Sequence, residues 1–347
     1  MKLYIEFIIP LLTKLFPIGC KILISGGNSV STERFIKNTY FMNIYFNEED
    51  DRVREVRTMA AYRLPDNYQA CYGSFSCVYE DRMIRGGGQG KSNKCVNTVL
   101  EFDDARGWVE LPSMNIGRSF AGASLIQNTI VVGGGIDSDF EPLNTLEILS
   151  IEVGNIGVEW FKLNSTLPTY IGVPLLNTLQ GKLVLLEGNM DSYQKSTDMT
   201  DYYNTESEMN IKERLTNRVW EGSWVGQLRA ETKITWKQAP SLKFKRCDFF
   251  SVVVDDRLYV FGGASDGLDR IDIYDGYKWE SGQTFNMMLS TKNAQAVVDK
   301  RKRIIVTTNF NGIVVYNTIR KTIEICEEHS LEKYLGEQRL WYCATTN

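Results

Sequence analysis

The stretch Arg257–Trp279, RLYVFGGASDGLDRIDIYDGYKW, decides the reading of this chain. Four residues of strand-forming type, Leu258-Tyr259-Val260-Phe261, run straight into Gly262-Gly263. A polar segment follows, then an alternating strand, Ile271-Asp272-Ile273-Tyr274, and then Trp279. A good strand broken by two glycines marks a place where the chain turns sharply or passes so close to a neighbour that a Cβ would hinder it. The same order recurs along the chain. Lys21–Ser25 leads into Gly26-Gly27, Arg82–Arg85 into Gly86-Gly87, and Thr129–Val132 into Gly133-Gly134. Leu183–Leu186 leads into Glu187-Gly188, and Arg303–Val306 into Thr307-Thr308. Markers starting at 26, 86, 133, 187, 262 and 307 lie 60, 47, 54, 75 and 45 residues apart, a repeat of about 50 with insertions.

The flanks repeat as well. An apolar strand precedes each marker from the second onward, within Gln69–Tyr79, Ser119–Ile126, Tyr170–Leu179, Phe249–Val254 and Ala294–Val298. Tight turns such as Gln127-Asn128, Gln180-Gly181 and Asp255-Asp256 join it to the marker strand, which is a hairpin signature. After each marker comes a loop, then an alternating strand (Thr39–Phe46, Thr98–Asp103, Thr145–Ile151, Ile271–Tyr274, Ile313–Tyr316). A fourth strand often carries Trp: Trp108, Trp160, Trp236, Trp279. Four antiparallel strands per unit, six units and almost no helical periodicity predict an all-β, six-bladed β-propeller forming a single domain over 1–347. The blades fall near 1–58, 69–112, 118–163, 170–238, 247–282 and 292–326, with a polar insertion over 191–218.

A glycine pair, a Tyr about a dozen residues on and a Trp shortly after it resemble the kelch repeat. The best copy is Gly262-Gly263, Tyr274-Asp275, Trp279. Gly86-Gly87, Phe102-Asp103, Trp108 is the second, and Gly133-Gly134 with Leu149 and Trp160 the third. Units one and six keep Tyr45 and Tyr316 and lose the Trp, and unit four loses its first glycine. Physically, the rings fit the wedge between adjacent blades while a polar tip meets backbone, so Trp108, Tyr274 and Trp279 read as packing residues.

The ends leave closure of the ring open. Either Ile5–Leu15 is the first strand of blade one, or the segment 338–346 returns as its inner strand. A short apolar N-terminus ending in Gly19-Cys20 also has the look of a signal peptide, interrupted by Glu6, Pro10 and Lys14. The strand is the preferred reading, with a cytoplasmic location; secretion is the alternative if 1–19 is a signal.

Composition narrows the chemistry. A net charge of -4 argues against a broad nucleic-acid surface, and no apolar run is long and unbroken enough to span a bilayer. The basic run Lys300-Arg301-Lys302-Arg303 lies between two apolar strands and reads as a hairpin tip. Seven cysteines without a CxxC pair point to neither a disulfide framework nor a zinc site. His329 is the only histidine, in a polar loop, whereas the copper oxidases that share this fold need two histidines at the metal. Sialidase boxes, a P-loop, GxSxG and HExxH are absent, and no helix follows Gly86–Gly90 to make a dinucleotide site. The expectation is a non-catalytic protein-interaction module without a cofactor or metal, of the substrate-receptor or scaffold type, monomeric as a domain. The alternative is a carbohydrate-active kelch enzyme with an acid–base site in the channel.

The resemblance implies that one face carries the loops joining second to third strands, such as 88–97, 135–143 and 264–269, together with the segments leading into each inner strand. Residues at the start of those inner strands are then expected to ring the channel mouth: Gln69, Arg118, Tyr170, Arg246 and Lys292. Three cations and a Tyr at one opening would suit an acidic protein or peptide partner.

Overall fold

The computed structural model describes residues 20–25, 28–29, 37–47, 50–64, 68, 71–80, 82–90, 92–103, 105–152, 155–156, 159–187, 216–246, 249–263, 270–284, 295–307, 312–326, 339–340 and 343–346. The expectations placed on 1–19, Gln69, 191–215, 264–269, Lys292 and His329 lie outside them. Every regular element among the described residues is a strand, and no described helix is long and apolar enough to cross a membrane.

In chain order the strands are β1 (Cys20–Ser25), β2 (Asn28–Ser29), β3 (Asn38–Phe46), β4 (Val53–Arg63), β5 (Phe75–Tyr79), β6 (Arg82–Gly86), β7 (Val99–Asp103), β8 (Gly107–Leu111) and β9 (Gly122–Ile126). They continue with β10 (Thr129–Gly133), β11 (Thr145–Glu152), β12 (Asn155–Ile156), β13 (Phe161–Thr166), β14 (Pro174–Leu179), β15 (Lys182–Glu187), β16 (Val219–Ser223), β17 (Thr235–Gln238) and β18 (Phe250–Val254). The last are β19 (Arg257–Phe261), β20 (Arg270–Tyr274), β21 (Trp279–Thr284), β22 (Gln295–Val298), β23 (Arg303–Thr307), β24 (Ile313–Asn317), β25 (Thr322–Cys326), β26 (Arg339–Leu340) and β27 (Cys343–Thr346).

These strands form the six antiparallel blades of a β-propeller. Blades two, four, five and six are β5–β8, β14–β17, β18–β21 and β22–β25 in sequence order. Blade three is β9, β10, β11 and β13, with the short β12 added beside β11. Blade one has the order β27, β1, β3, β4, so the inner strand comes from the other end of the chain. The register runs from Ile22 opposite Thr346 to Ser25 opposite Cys343, and Asn28–Ser29 pairs with Arg339–Leu340 behind it. Of the two closures open from sequence, the C-terminal one holds the place beside β1.

The core is divided among the seams. Six apolar clusters each join two neighbouring blades, and together they close the circle. Leu23, Phe41, Met83 and Phe102 join blades one and two, and Ile84, Val99, Ile130 and Val132 join two and three. Val131, Ile148, Leu183 and Leu185 follow, then Val184, Val219, Leu258 and Val260, then Phe261, Ile271, Ile304 and Val314. Ile22, Met42, Ile305 and Ile313 complete the ring between blades six and one. This is what four-stranded sheets with two apolar faces require, because none can cover both faces alone.

The tryptophans act as expected, reaching back from one blade to the one before it. The Trp279 indole N–H donates to the Pro240 carbonyl at 2.7 Å, that of Trp160 to Pro112 at 2.8 Å, and that of Trp236 to Thr166 at 2.8 Å. Trp108 reaches the Thr39 hydroxyl at 3.0 Å. Tyr274 stacks on Trp279 with centroids 4.9 Å apart, and its hydroxyl donates to Glu221 of blade four at 2.8 Å. Burial and that carboxylate push the Tyr274 phenol up. The basic hairpin tip also finds its role at a seam. Asp51, in the β3–β4 turn of blade one, receives Arg301 at 3.3 Å, Arg303 at 3.6 Å and Arg320 at 3.3 Å, all from blade six.

Candidate functional site

Antiparallel pairing puts the start of each inner strand level with the end of the second strand, as in Phe75 opposite Gly86 and Phe250 opposite Phe261. The glycine turns and the lead-ins to the inner strands therefore share one end of the ring. The glycines that need a positive φ are Gly87-Gly88 (64° and 108°), Gly134-Gly135 (62° and 87°) and Gly262-Gly263 (63° and 109°). In blades two and three the structural pair is thus one residue later than the sequence alignment places it. Gly86 and Gly133 still lie in the strand, where each is packed against by a side chain, Phe75 and Leu146 respectively.

Among the described residues, the turns of blades two and three are tied to the next blade through backbone, and the lead-in of blade five is tied to blade four. Gly88 N–H donates to Arg118 O at 2.8 Å, Gly135 N–H to Ile171 O at 3.0 Å, and Arg246 N–H to Thr216 O at 2.8 Å. A Cβ on Gly87 would lie 2.4 Å from the Arg118 carbonyl oxygen, which explains the glycine there. From blade two to blade five these bonds brace neighbouring loops against one another. Lys94 and Ser138 are exposed on these loops.

The two arginines expected at the channel mouth are buried. Arg118 is 0% and Arg246 2% exposed, so neither presents a cation to solvent. Arg118 donates to Gly134 O at 2.9 Å, Thr145 O at 3.1 Å, Thr145 Oγ1 at 3.1 Å and Glu147 Oε1 at 2.8 Å. Arg246 donates to Gly262 O at 3.1 Å and is ion-paired with Asp272. Each pins the glycine turn of its own blade to a carboxylate on the third strand. Burial lowers both guanidinium pKa values, opposed by the paired carboxylates. Tyr170 is 60% exposed at the lead-in to blade four, beside the Ile171 carbonyl that receives the Gly135 N–H.

A residue that the sequence reading passed over lies at the same end. Among the described residues four arginines are buried, Arg85, Arg118, Arg246 and Arg303, as are five carboxylates, Glu101, Glu147, Glu187, Asp272 and Asp299. Every one of those carboxylates is paired: Glu101 with Arg82, Glu147 with Arg118, Glu187 with Arg218, Asp272 with Arg246 and Asp299 with Arg303. Among the described residues Arg85 meets only neutral acceptors: Ser25 Oγ at 3.2 Å, Cys71 O at 3.0 Å, Cys71 Sγ at 3.3 Å and Ser74 Oγ at 3.2 Å.

The arrangement defines a six-bladed β-propeller with a braced loop face, in which the aromatic markers and two of the expected site arginines are consumed by the scaffold. No known family model matches the chain, and no curated protein matches it.

Proposed function

We propose that the protein is a kelch-type, non-catalytic interaction module that binds an acidic protein or peptide through the loop face of its propeller. The observation that carries this reading is the backbone bracing of that face, from Gly88–Arg118 through Gly135–Ile171 to Thr216–Arg246. A rigid scaffold that presents loops of unequal length is suited to recognition, because little conformational entropy remains to be lost when a partner docks. The seam tryptophans and the Tyr274–Trp279 stack support the kelch assignment. Free Cys20, Cys71 and Cys95 support a reducing, cytoplasmic setting.

The test compares proteins captured by the wild type and by two surface variants. Lys94→Glu with Tyr170→Ser alters the loop face, whereas Lys278→Glu with Tyr277→Ser alters the β20–β21 turn at the other end. The expected result is a partner retained by the second variant and lost from the first. A partner lost only from the second would overturn the assignment of the face.

A further inference from the structure

Arg85 is 4% exposed and pairs with no carboxylate among the described residues, although a buried charge is costly unless it is compensated. Its position in the repeat makes this more specific. The strand registers place Arg85 level with Ile24, Val132, Leu185, Val260 and Val306, one in each of the other blades. All five are aliphatic and 0% exposed. Arg85 is therefore a cation set into an aliphatic layer.

Blades three and five show what normally accompanies a cation at this end of the ring. Their lead-in arginines, Arg118 and Arg246, each lie four residues before the inner strand, and Cys71 holds that place in blade two. The substitution is close, since the Cys71 thiol donates to Gly87 O at 3.3 Å as Arg118 donates to Gly134 O. Their carboxylates, Glu147 and Asp272, stand opposite Val132 and Val260 on the third strand. The residue opposite Arg85 is Leu100. Blade two thus keeps a guanidinium at this level, now from its second strand, and replaces the carboxylate with an apolar side chain.

The surrounding hydrogen bonds have an excess of donors. Trp108 N–H donates to the Thr39 hydroxyl, which donates to Ser25 Oγ at 3.3 Å, and Arg85 donates to the same oxygen. Ser25 Oγ accepts twice, leaving its own proton to give. The contacts Arg85 makes are 3.0–3.3 Å long, whereas a guanidinium–carboxylate bond is shorter and about twice as strong.

We infer that Arg85 and Ser25, at the seam of blades one and two under the loop face, form a binding site for a carboxylate supplied by a ligand. The group takes the role that Glu147 and Asp272 play within blades three and five. The site exists independently of the interaction reading, but identifying its carboxylate with that of an acidic partner rests on it.

Thermal unfolding in chloride and in acetate at fixed ionic strength tests the site without a partner. Acetate at about ten times its dissociation constant is expected to raise the wild-type Tm by about 2 °C over chloride. Arg85→Met is expected to melt in chloride at or above the wild type and to show no acetate response. Leu100→Glu, which supplies the carboxylate from within the chain, is expected to lose the response as well. Ser25→Ala is expected to weaken acetate binding about tenfold. Equal melting in both anions would overturn the inference, as would an acetate response retained by Arg85→Met. A fall of more than about 5 °C for Arg85→Met in chloride would also overturn it, by showing that the neutral acceptors suffice. Two capped tripeptides, Ac-Ala-Glu-Ala-amide and Ac-Ala-Ala-Ala with a free C-terminus, distinguish a side-chain source from a terminal one. A response to acetate without partner capture would sink the interaction reading alone.

Discussion

Replacing Arg118 by Met separates a scaffold role from a contact role. The variant would leave Glu147 buried, holding only the Asn115 backbone N–H at 2.6 Å, the Asn115 side-chain amide at 2.9 Å and the Ile116 N–H at 3.1 Å. The Gly134 and Thr145 carbonyls would lose the Arg118 N–H as well. Breaking a buried ion pair by deleting one partner costs about 3–5 kcal/mol, because an uncompensated charge is left behind. The assay is urea unfolding followed by tryptophan fluorescence, with the midpoint falling and the slope unchanged. Arg118→Met combined with Glu147→Gln removes the stranded charge while keeping one acceptor oxygen for the two Asn115 donors. It should cost less than the sum of the single variants by at least about 1.5 kcal/mol. A loss below about 1 kcal/mol in Arg118→Met, with partner binding abolished, would refute the reasoning and return Arg118 to the rim.

The seams and turns give three further predictions. Trp279→Phe keeps the stack on Tyr274 but loses the bond to Pro240, and should cost about 1 kcal/mol in urea unfolding; an unchanged midpoint would count against the inter-blade bond. Gly87→Ala combines a positive φ with a contact to Arg118 O, and should cost more than about 2 kcal/mol. Gly181→Ala, at φ 73° with open space around it, should cost about 1 kcal/mol, and equal losses would dismiss the close approach. Asp103 and Asp275 are held below the usual aspartate range, chiefly by the backbone N–H groups of Arg106 and Lys278 respectively. Because their folded-state pKa values are depressed, this stabilisation is complete above the ordinary value near 3.8 and is lost as pH falls through the folded values. Asp103→Asn with Asp275→Asn keeps the acceptors without proton uptake, so the acid decline of Tm should become shallower; an identical decline would reject the assignment.

The blades were legible because each repeats the same physical problem. A strand must stop at a left-handed turn beneath the next lead-in, and glycine is the residue that can do so. The placement of the pair in blades two and three was ambiguous because three glycines run together at 86–88 and 133–135. Only the backbone angles show that the first of each belongs to the strand. Arg118 and Arg246 looked like rim cations because their carboxylates lie 29 and 26 residues away on another strand. A usable signal existed: each arginine stands 16 residues before the glycine whose carbonyl it holds. Arg85 was passed over because it stands in the Arg82–Arg85 marker strand, where a polar residue reads as facing water. Closure was undecided because four residues, Cys343–Thr346, carry no motif; their place follows from the unfilled edge of β1.

Ring closure rests on β27 pairing with β1, and a chain ending at residue 341 tests it most directly. Removing β27 would expose the edge of β1 along the four paired positions Ile22–Ser25 and open the contact between blades one and six. Net losses of about 0.5–1.5 kcal/mol per hydrogen bond put the expected cost at several kcal/mol, with a clear fall in the urea midpoint and in Tm. A synthetic peptide spanning 338–347 should restore part of the loss when added back. Melting indistinguishable from that of the full chain would contradict the closed ring.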